Sequence, residues 1–265
     1  MIAYKKKMEL GIKDKRALIT GAGRGLGKVI ALELDREGVS ISAVSRTKSD
    51  LDKLLIEMGG ENKRHYAIVA DLTIEHAPEL VFKELEKNFG PVDILVNNLG
   101  GALNIKDPFC SVYDWRKIWR MNFEVGLELN NLIIPYMKKK SWGRIINISS
   151  ISGSESQGPL SYCSVKAALN AYTKNMGRIL APYGIIMAAV SPGAVLTEGG
   201  YWDTTMRDNP KYAKKYLDER MPIKRFGKPE EIASMVAFLC SKQSSFCAGS
   251  IFPVDGGQGK CFSNS

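Results

Sequence analysis

The chain has 265 residues, 45% hydrophobic and 25% charged, with a formal net charge of +9. That length can bury a substantial core in one large domain, and no apolar run approaches the roughly 20 residues that span a bilayer. Five scattered cysteines without a Cys-x-x-Cys pair argue against a disulfide framework or a zinc knuckle, and two early histidines are too few for a histidine metal site and poor support for a histidine-assisted nucleophile.

The start, "MIAYKKKMEL", lacks the apolar stretch of a secretory signal. Residues 1–10 are expected to form a flexible basic arm ahead of a single domain over 11–265. Cysteine usage fits a reducing compartment, so a cytoplasmic location is expected. The positive charge suits anionic ligands. Its runs, Lys5–Lys7 and Lys138–Lys140, are short and carry no interleaved stacking aromatics. A phosphate-rich cofactor is therefore expected, and neither a nucleic-acid nor a membrane partner.

The first predicted strand, "RALIT" (16–20), runs into "TGAGRGLGKVIALEL". Gly21, Gly25 and Gly27 fall at a strand-to-helix junction, where glycine lets the backbone turn tightly and approach a pyrophosphate. Residues 25–37 then place Leu26, Val29, Ile30, Ala31 and Leu34 on one side of a helix. The second strand (39–45) ends in Ser45 followed by Arg46, where a site selecting NAD often has an acidic residue. Arg24 and Arg46 would both suit a ribose 2′-phosphate, which points to NADP(H) in preference to NAD(H).

Further strands are predicted at 65–70, 93–97, 143–149, 185–191 and 250–254, and helices at 75–88, 112–139, 161–181 and 229–240. Several strands are near-continuous apolar runs, as strands covered on both faces should be. The alternation predicts an α/β fold: a Rossmann-type doubly wound parallel sheet of about seven strands, with helices on both faces. Residues 197–228 break the rhythm with Pro210, Pro222 and several aromatics. They read as a lid over the substrate or as a surface hairpin packing its own rings.

Ligands of such sheets bind beyond the C-terminal strand ends. Asn97, Ser149 and Ser150 are thus expected to face the crevice of the glycine turn. Tyr162 begins a helix twelve residues after Ser150, and Lys166 lies four residues on, on the same helix face. A tyrosine ionises near 10, so ionising it near 7 costs roughly 4 kcal/mol. A cation about 4 Å away at an effective dielectric of about 20 supplies a similar amount. The same Tyr-x-x-x-Lys spacing recurs at Tyr113–Lys117 and Tyr136–Lys140. Neither follows a strand that ends in serine, and Lys140 is expected to be solvated.

With "TGAGRGLG", "ADL" (70–72), "NNLG" (97–100), "MNFEVG", "ISS" (148–150), "YCSVK", "SPGAVLT" (191–197) and "VDGG" in this order, the sequence closely resembles the short-chain dehydrogenase/reductase family, in its compact single-domain form. It looks most like the branch of 3-oxoacyl-carrier-protein reductases and sugar or polyol dehydrogenases. The resemblance implies Tyr162 as proton donor or acceptor. Lys166 lowers the tyrosine pKa and holds the nicotinamide ribose, Ser150 bonds the substrate oxygen, and Asn122 holds a water linking Lys166 to solvent. It implies a cofactor site that includes Gly21, Arg24, Gly25, Leu26, Gly27, Ser45, Arg46 and Gly100. Asp71 and Leu72 meet the adenine and Asn97 the nicotinamide-side ribose, while Val195 and Thr197 follow the Pro192–Gly193 turn and bind the carboxamide. It also implies a homotetramer built through the helices at 112–139 and 161–181 and the last strand.

Two departures stand out. Leu99 replaces the family's usual alanine in "NNLG". The Ser150–Tyr162 interval is one residue short, and its loop is polar (Ser152, Ser154, Glu155, Ser156, Gln157). That polarity leans toward a polar or sugar-like substrate, leaving both a 3-oxoacyl thioester and a keto-sugar or polyol in view. The alternative is a non-catalytic NADP-binding regulatory protein on the same fold.

Overall fold

Seven parallel strands pair in the order β3-β2-β1-β4-β5-β6-β7 in the computed structural model, which describes residues 9–60 and 64–261. In chain order the strands are β1 (Arg16–Thr20), β2 (Ser40–Ser45), β3 (Tyr66–Val69), β4 (Ile94–Asn97), β5 (Gly143–Ile148), β6 (Ile185–Pro192) and β7 (Ile251–Val254). Each strand expected from the sequence forms within a residue or two. The first eight residues of the expected basic arm lie outside the described residues.

Alternation along the strands divides the core in two. Ala17, Ile19, Ile94, Val96, Ile146 and Ile148 pack under α1 (Gly25–Arg36), α2 (Lys48–Glu57) and α9 (Pro229–Cys240). Leu18, Leu95 and Ile145 pack with α3 (Ala77–Asn88), α5 (Val125–Lys140) and α6 (Leu160–Leu180) on the other face. Helices on both faces explain why the strands read as unbroken apolar runs.

Two elements differ from the sequence reading. Helix α2 was not expected, because only Leu51 and Leu54 of its length are buried and the apolar stripe is narrow. The long helix expected at 112–139 is divided into α4 (Val112–Trp119), a π-helical segment (Arg120–Glu124) and α5. The widened turn carries Asn122, and such bulges are frequent at functional sites. Residues 197–228 contain α7 (Tyr201–Asp208) and α8 (Pro210–Arg220), which share a small core of Ala194, Ala213, Met221 and Phe226.

The strand order reverses between β1 and β4, so the connections leaving these two neighbours diverge and open a crevice at their C-terminal ends. The other end of this half of the sheet is fastened by a buried histidine. His65 Nδ1 accepts the Ile41 N–H at 3.2 Å, and its Nε2 lies 3.1 Å from Asp35 of α1. Burial lowers the His65 pKa and Arg64 adds to this, against the opposing pull of Asp35. A histidine with a lowered folded-state pKa is bound to fewer protons than the unfolded chain in acid, so its contribution is full above the unfolded value and lost as pH falls below it. Thermal melts between about pH 7.5 and 5 should therefore show falling stability, and His65→Gln should melt lower at neutral pH but with a shallower pH slope. An equal slope in both proteins would contradict this role.

Candidate active site

A cleft of about 480 Å³ runs along the C-terminal ends of the strands. Gly21, Arg24, Gly25 and Leu26 line one end, with Ser45, Arg46, Asp71 and Leu72 beside them. Gly100 lies midway, and Ser150, Tyr162, Lys166, Pro192, Gly193, Val195 and Thr197 close the other end. The structure thus brings most of the sequence-predicted residues to one surface.

The glycine turn is shaped by close approach. Gly21 has φ +65°, and a Cβ on Gly27 would lie 2.4 Å from the Gly21 carbonyl and 2.5 Å from the Asn98 amide. Gly27 therefore lets α1 press against the strand ends, and does not itself face the cleft. No side chain caps α1 and no acidic residue sits in its first turn, so its N-terminal dipole faces the cleft uncompensated. Arg46 lies 3.8 Å from Asp71, an exposed and weak pairing. Burial would raise the Asp71 pKa, but hydrogen bonds from Thr73 and the nearby Arg46 hold it below its usual range.

Asn97 does not reach the cleft, contrary to expectation. Its amide donates to Asn147 at 2.9 Å and Asn130 at 3.2 Å, in the layer between the sheet and α5. The pleat decides this: Leu95 and Asn97 share a face, and that face packs against α5 and α6 and not toward the strand ends. Its neighbour Asn98 lines the cleft instead and donates to the Thr20 and Gly21 carbonyls at 2.9 and 3.2 Å, holding the turn. Strand alternation could have identified it. Leu99 lines the cleft and also packs into the α5–α6 core.

At the chemical end, Lys166 is 2% exposed, and its ammonium donates to the Ile148 carbonyl at 2.8 Å. Burial pushes its pKa down to about 7. Tyr162 is pushed up to about 12, chiefly by burial and against a hydrogen bond from Ser150. The expected lowering of Tyr162 by the lysine charge is thus not what this arrangement gives: desolvation favours the neutral form of both groups. Asn122 is buried below them. Its side chain bonds the Gly101 N–H and the Gly101 and Ile118 carbonyls, and a Cβ on Gly100 would meet both Asn122 Oδ1 and Lys166 Nζ.

The other two Tyr-x-x-x-Lys pairs are spent elsewhere. Lys117 stacks over Tyr113, 4.1 Å from its ring centre. Lys140 is exposed, as expected, but its amine also donates to Asp93 at 2.7 Å, and Tyr136 bonds Glu86.

Glu155 and Gln157 are also differently used. Gln157 donates to Glu155 at 2.8 Å, and Glu155 accepts the Lys260 and Cys261 N–H groups. The polar groups of Glu155 and Gln157 are thus occupied within the protein, which weakens them as a guide to substrate chemistry. Two aromatic side chains absent from the predicted site, Tyr201 and Trp202, line the cleft from α7. Aromatic richness in the segment was their only signal.

A family profile described as enoyl-(acyl carrier protein) reductase matches residues 21–258. The chain belongs to the short-chain dehydrogenase/reductase family of oxidoreductases. It is 36% identical over 256 residues to L-xylulose reductase of Mesocricetus auratus, covering 94% of this chain and 98% of that one. It is 31% identical over 255 residues to the 3-oxoacyl-[acyl-carrier-protein] reductase FabG of Aquifex aeolicus, covering 94% and 99%. The crystal structure of L-sorbose reductase from Gluconobacter frateurii complexed with NADPH and L-sorbose superposes with a TM-score of 0.89 at 30% identity, covering 96% of this chain and 100% of that one.

The lysine makes a direct prediction. In a lysine-labelled sample, NMR should show one amine, assigned by Lys166→Met, titrating near pH 7, well below an ordinary lysine. A midpoint in the ordinary lysine range would contradict the desolvated environment.

Proposed function

We propose that the chain is an NADP(H)-dependent reductase that interconverts a carbonyl and a secondary alcohol, with Tyr162 as general acid and base. The observation that carries this reading is the meeting of Ser150, Tyr162 and Lys166 at one end of a cleft whose other end is the glycine turn.

The cleft fits a dinucleotide. The turn is tight at Gly21, Gly23 and Gly27, and the N-terminus of α1 faces it uncapped. On this reading the turn from Gly21 to Leu26 holds the pyrophosphate and Arg24 and Arg46 the 2′-phosphate. Asp71 and Leu72 border the adenine, Tyr162 and Lys166 hold the nicotinamide ribose, and Val195 and Thr197 the carboxamide. When bound, the nicotinamide supplies or takes the hydride.

The protein handles the proton. With a pKa of about 12, Tyr162 keeps its hydroxyl proton at neutral pH and can donate it to an oxygen that gains negative charge. The Ser150 hydroxyl offers that oxygen a second hydrogen bond. Lys166, near 7, exchanges a proton at low cost, and negative charge on the tyrosine or substrate oxygen would raise its affinity for one. Asn122, packed below Gly100, borders the route by which the lysine reaches solvent.

Of the two substrate classes left open, a keto-sugar or polyol is favoured by the likeness to L-xylulose reductase and L-sorbose reductase. Tyr201 and Trp202 would cover the substrate, making α7–α8 a lid. Exposed apolar side chains on α4 and α6, such as Val112, Tyr113 and Ile179, suit a homotetramer. We place such an enzyme in the cytoplasm.

NADPH should raise the melting temperature more than NADH at equal concentration, and the difference should shrink in Arg24→Ala/Arg46→Ala. Equal shifts in the wild type would remove the 2′-phosphate assignment. In a panel of keto-sugars, ketones and acyl thioesters followed at the cofactor absorbance, Tyr162→Phe should lose roughly 10²–10⁴-fold in turnover while still binding NADPH. Wild-type-like turnover would exclude Tyr162 as the acid.

A further inference from the structure

Three walls of the cleft meet at one side chain outside the proton-transfer set. Gln258 follows β7 and is 3% exposed. Its Oε1 accepts the Ala194 N–H at 2.7 Å. Its Nε2 donates to the Tyr216 hydroxyl at 2.5 Å and to Gln157 Oε1 at 3.2 Å. Ala194 belongs to the turn after β6, Tyr216 to α8, and Gln157 to the loop between β5 and α6. A glutamine suits this position because one carboxamide combines an acceptor with two donors.

We propose that Gln258 is a positioning residue for the carbonyl substrate, fixing the gap between the loop at 151–159 and the α7–α8 hairpin. This inference rests on the reductase reading above. On the hairpin side, the Tyr216 ring lies 4.1 Å from that of Trp202, which lines the cleft. On the loop side, the Gln157 carbonyl accepts the Ser152 hydroxyl, and a Cβ on the adjoining Gly158 would come within 4.0 Å of the Tyr162 ring. Displacing the Gln258 carboxamide therefore moves both an aromatic that covers the substrate and the loop beside the catalytic tyrosine.

The loop is latched to the same C-terminal segment a second time. Glu155 accepts the N–H groups of Lys260 and Cys261 and the Gln157 amide. Asp255 folds that segment back by accepting the Gly257 and Gly259 N–H groups at 2.9 and 2.8 Å. The glycine turn and Arg24, at the far end of the cleft, touch none of these groups. Loss of Gln258 should thus weaken substrate binding more than cofactor binding.

The test compares the wild type with Gln258→Leu, which removes all three bonds, and Tyr216→Phe, which removes only the hairpin link and keeps the ring packing. Hydrogen exchange by mass spectrometry should quicken over both 151–160 and 201–220 in Gln258→Leu, and over 201–220 alone in Tyr216→Phe. On the best keto-sugar or ketone, KM should rise about tenfold in Gln258→Leu and about threefold in Tyr216→Phe, with smaller changes in kcat and an NADPH Kd within about threefold of wild type. Tyr216→Phe serves alone if Gln258→Leu does not fold. Unchanged exchange overturns the coupling whether or not the protein turns over. Quickened exchange with unchanged KM on an active wild type overturns the substrate role. A wild type that reduces no carbonyl sinks the reductase reading and with it the substrate role, while the exchange data still decide whether Gln258 ties loop to hairpin.

Discussion

A lysine amine held out of water at the end of β5 sets the terms for the rest of the site. Lys166 keeps one hydrogen bond, to the Ile148 carbonyl, and burial brings its pKa to about 7. The same desolvation pushes Tyr162 up to about 12. Neither group gains by charging alone, because each would then stand in a poorly solvated pocket. In the proposed reaction an oxygen becoming an alkoxide would draw a proton from Tyr162, with Lys166 one helical turn along to answer the resulting charge.

The fold supplies that desolvation and places it beside an anion-binding turn. The reversal of strand order between β1 and β4 opens the crevice. Gly27 lets α1 press against the Gly21 carbonyl, and Asn98 pins the turn to Thr20 and Gly21. The π-helical segment at Arg120–Glu124 brings Asn122 under Gly100, next to the lysine. On the proposed reading one edge of the cleft takes phosphate and the other proton transfer, with only strand ends between them.

The strands were legible because apolar runs bounded by glycine and polar residues leave little else for them to be. The ordered motifs made Ser150, Tyr162, Lys166 and the glycine turn legible too. What escaped depended on geometry finer than composition. Asn97 and Asn98 are adjacent identical residues, and a pleat places one among helices and the other at the cleft. Lys140 reads as one of three surface lysines and stays at the surface, but the sequence does not show that the fold brings Asp93 to it. Glu155 and Gln157 read as substrate-facing polar groups until the C-terminal segment arrives, about 100 residues later, to occupy them. The shift of Tyr162 was anticipated with the wrong sign, because a charge four residues away was counted at full strength while its own desolvation was not.

In the proposed reaction, hydride reaches a carbonyl held against Ser150 and Tyr162. Reduction of a keto-sugar with NADPH deuterated at both C4 positions, in ordinary water, followed by mass spectrometry of the product, tests this step. One deuterium is expected on the new carbinol carbon. A reduced product with no deuterium there would rule out direct hydride transfer.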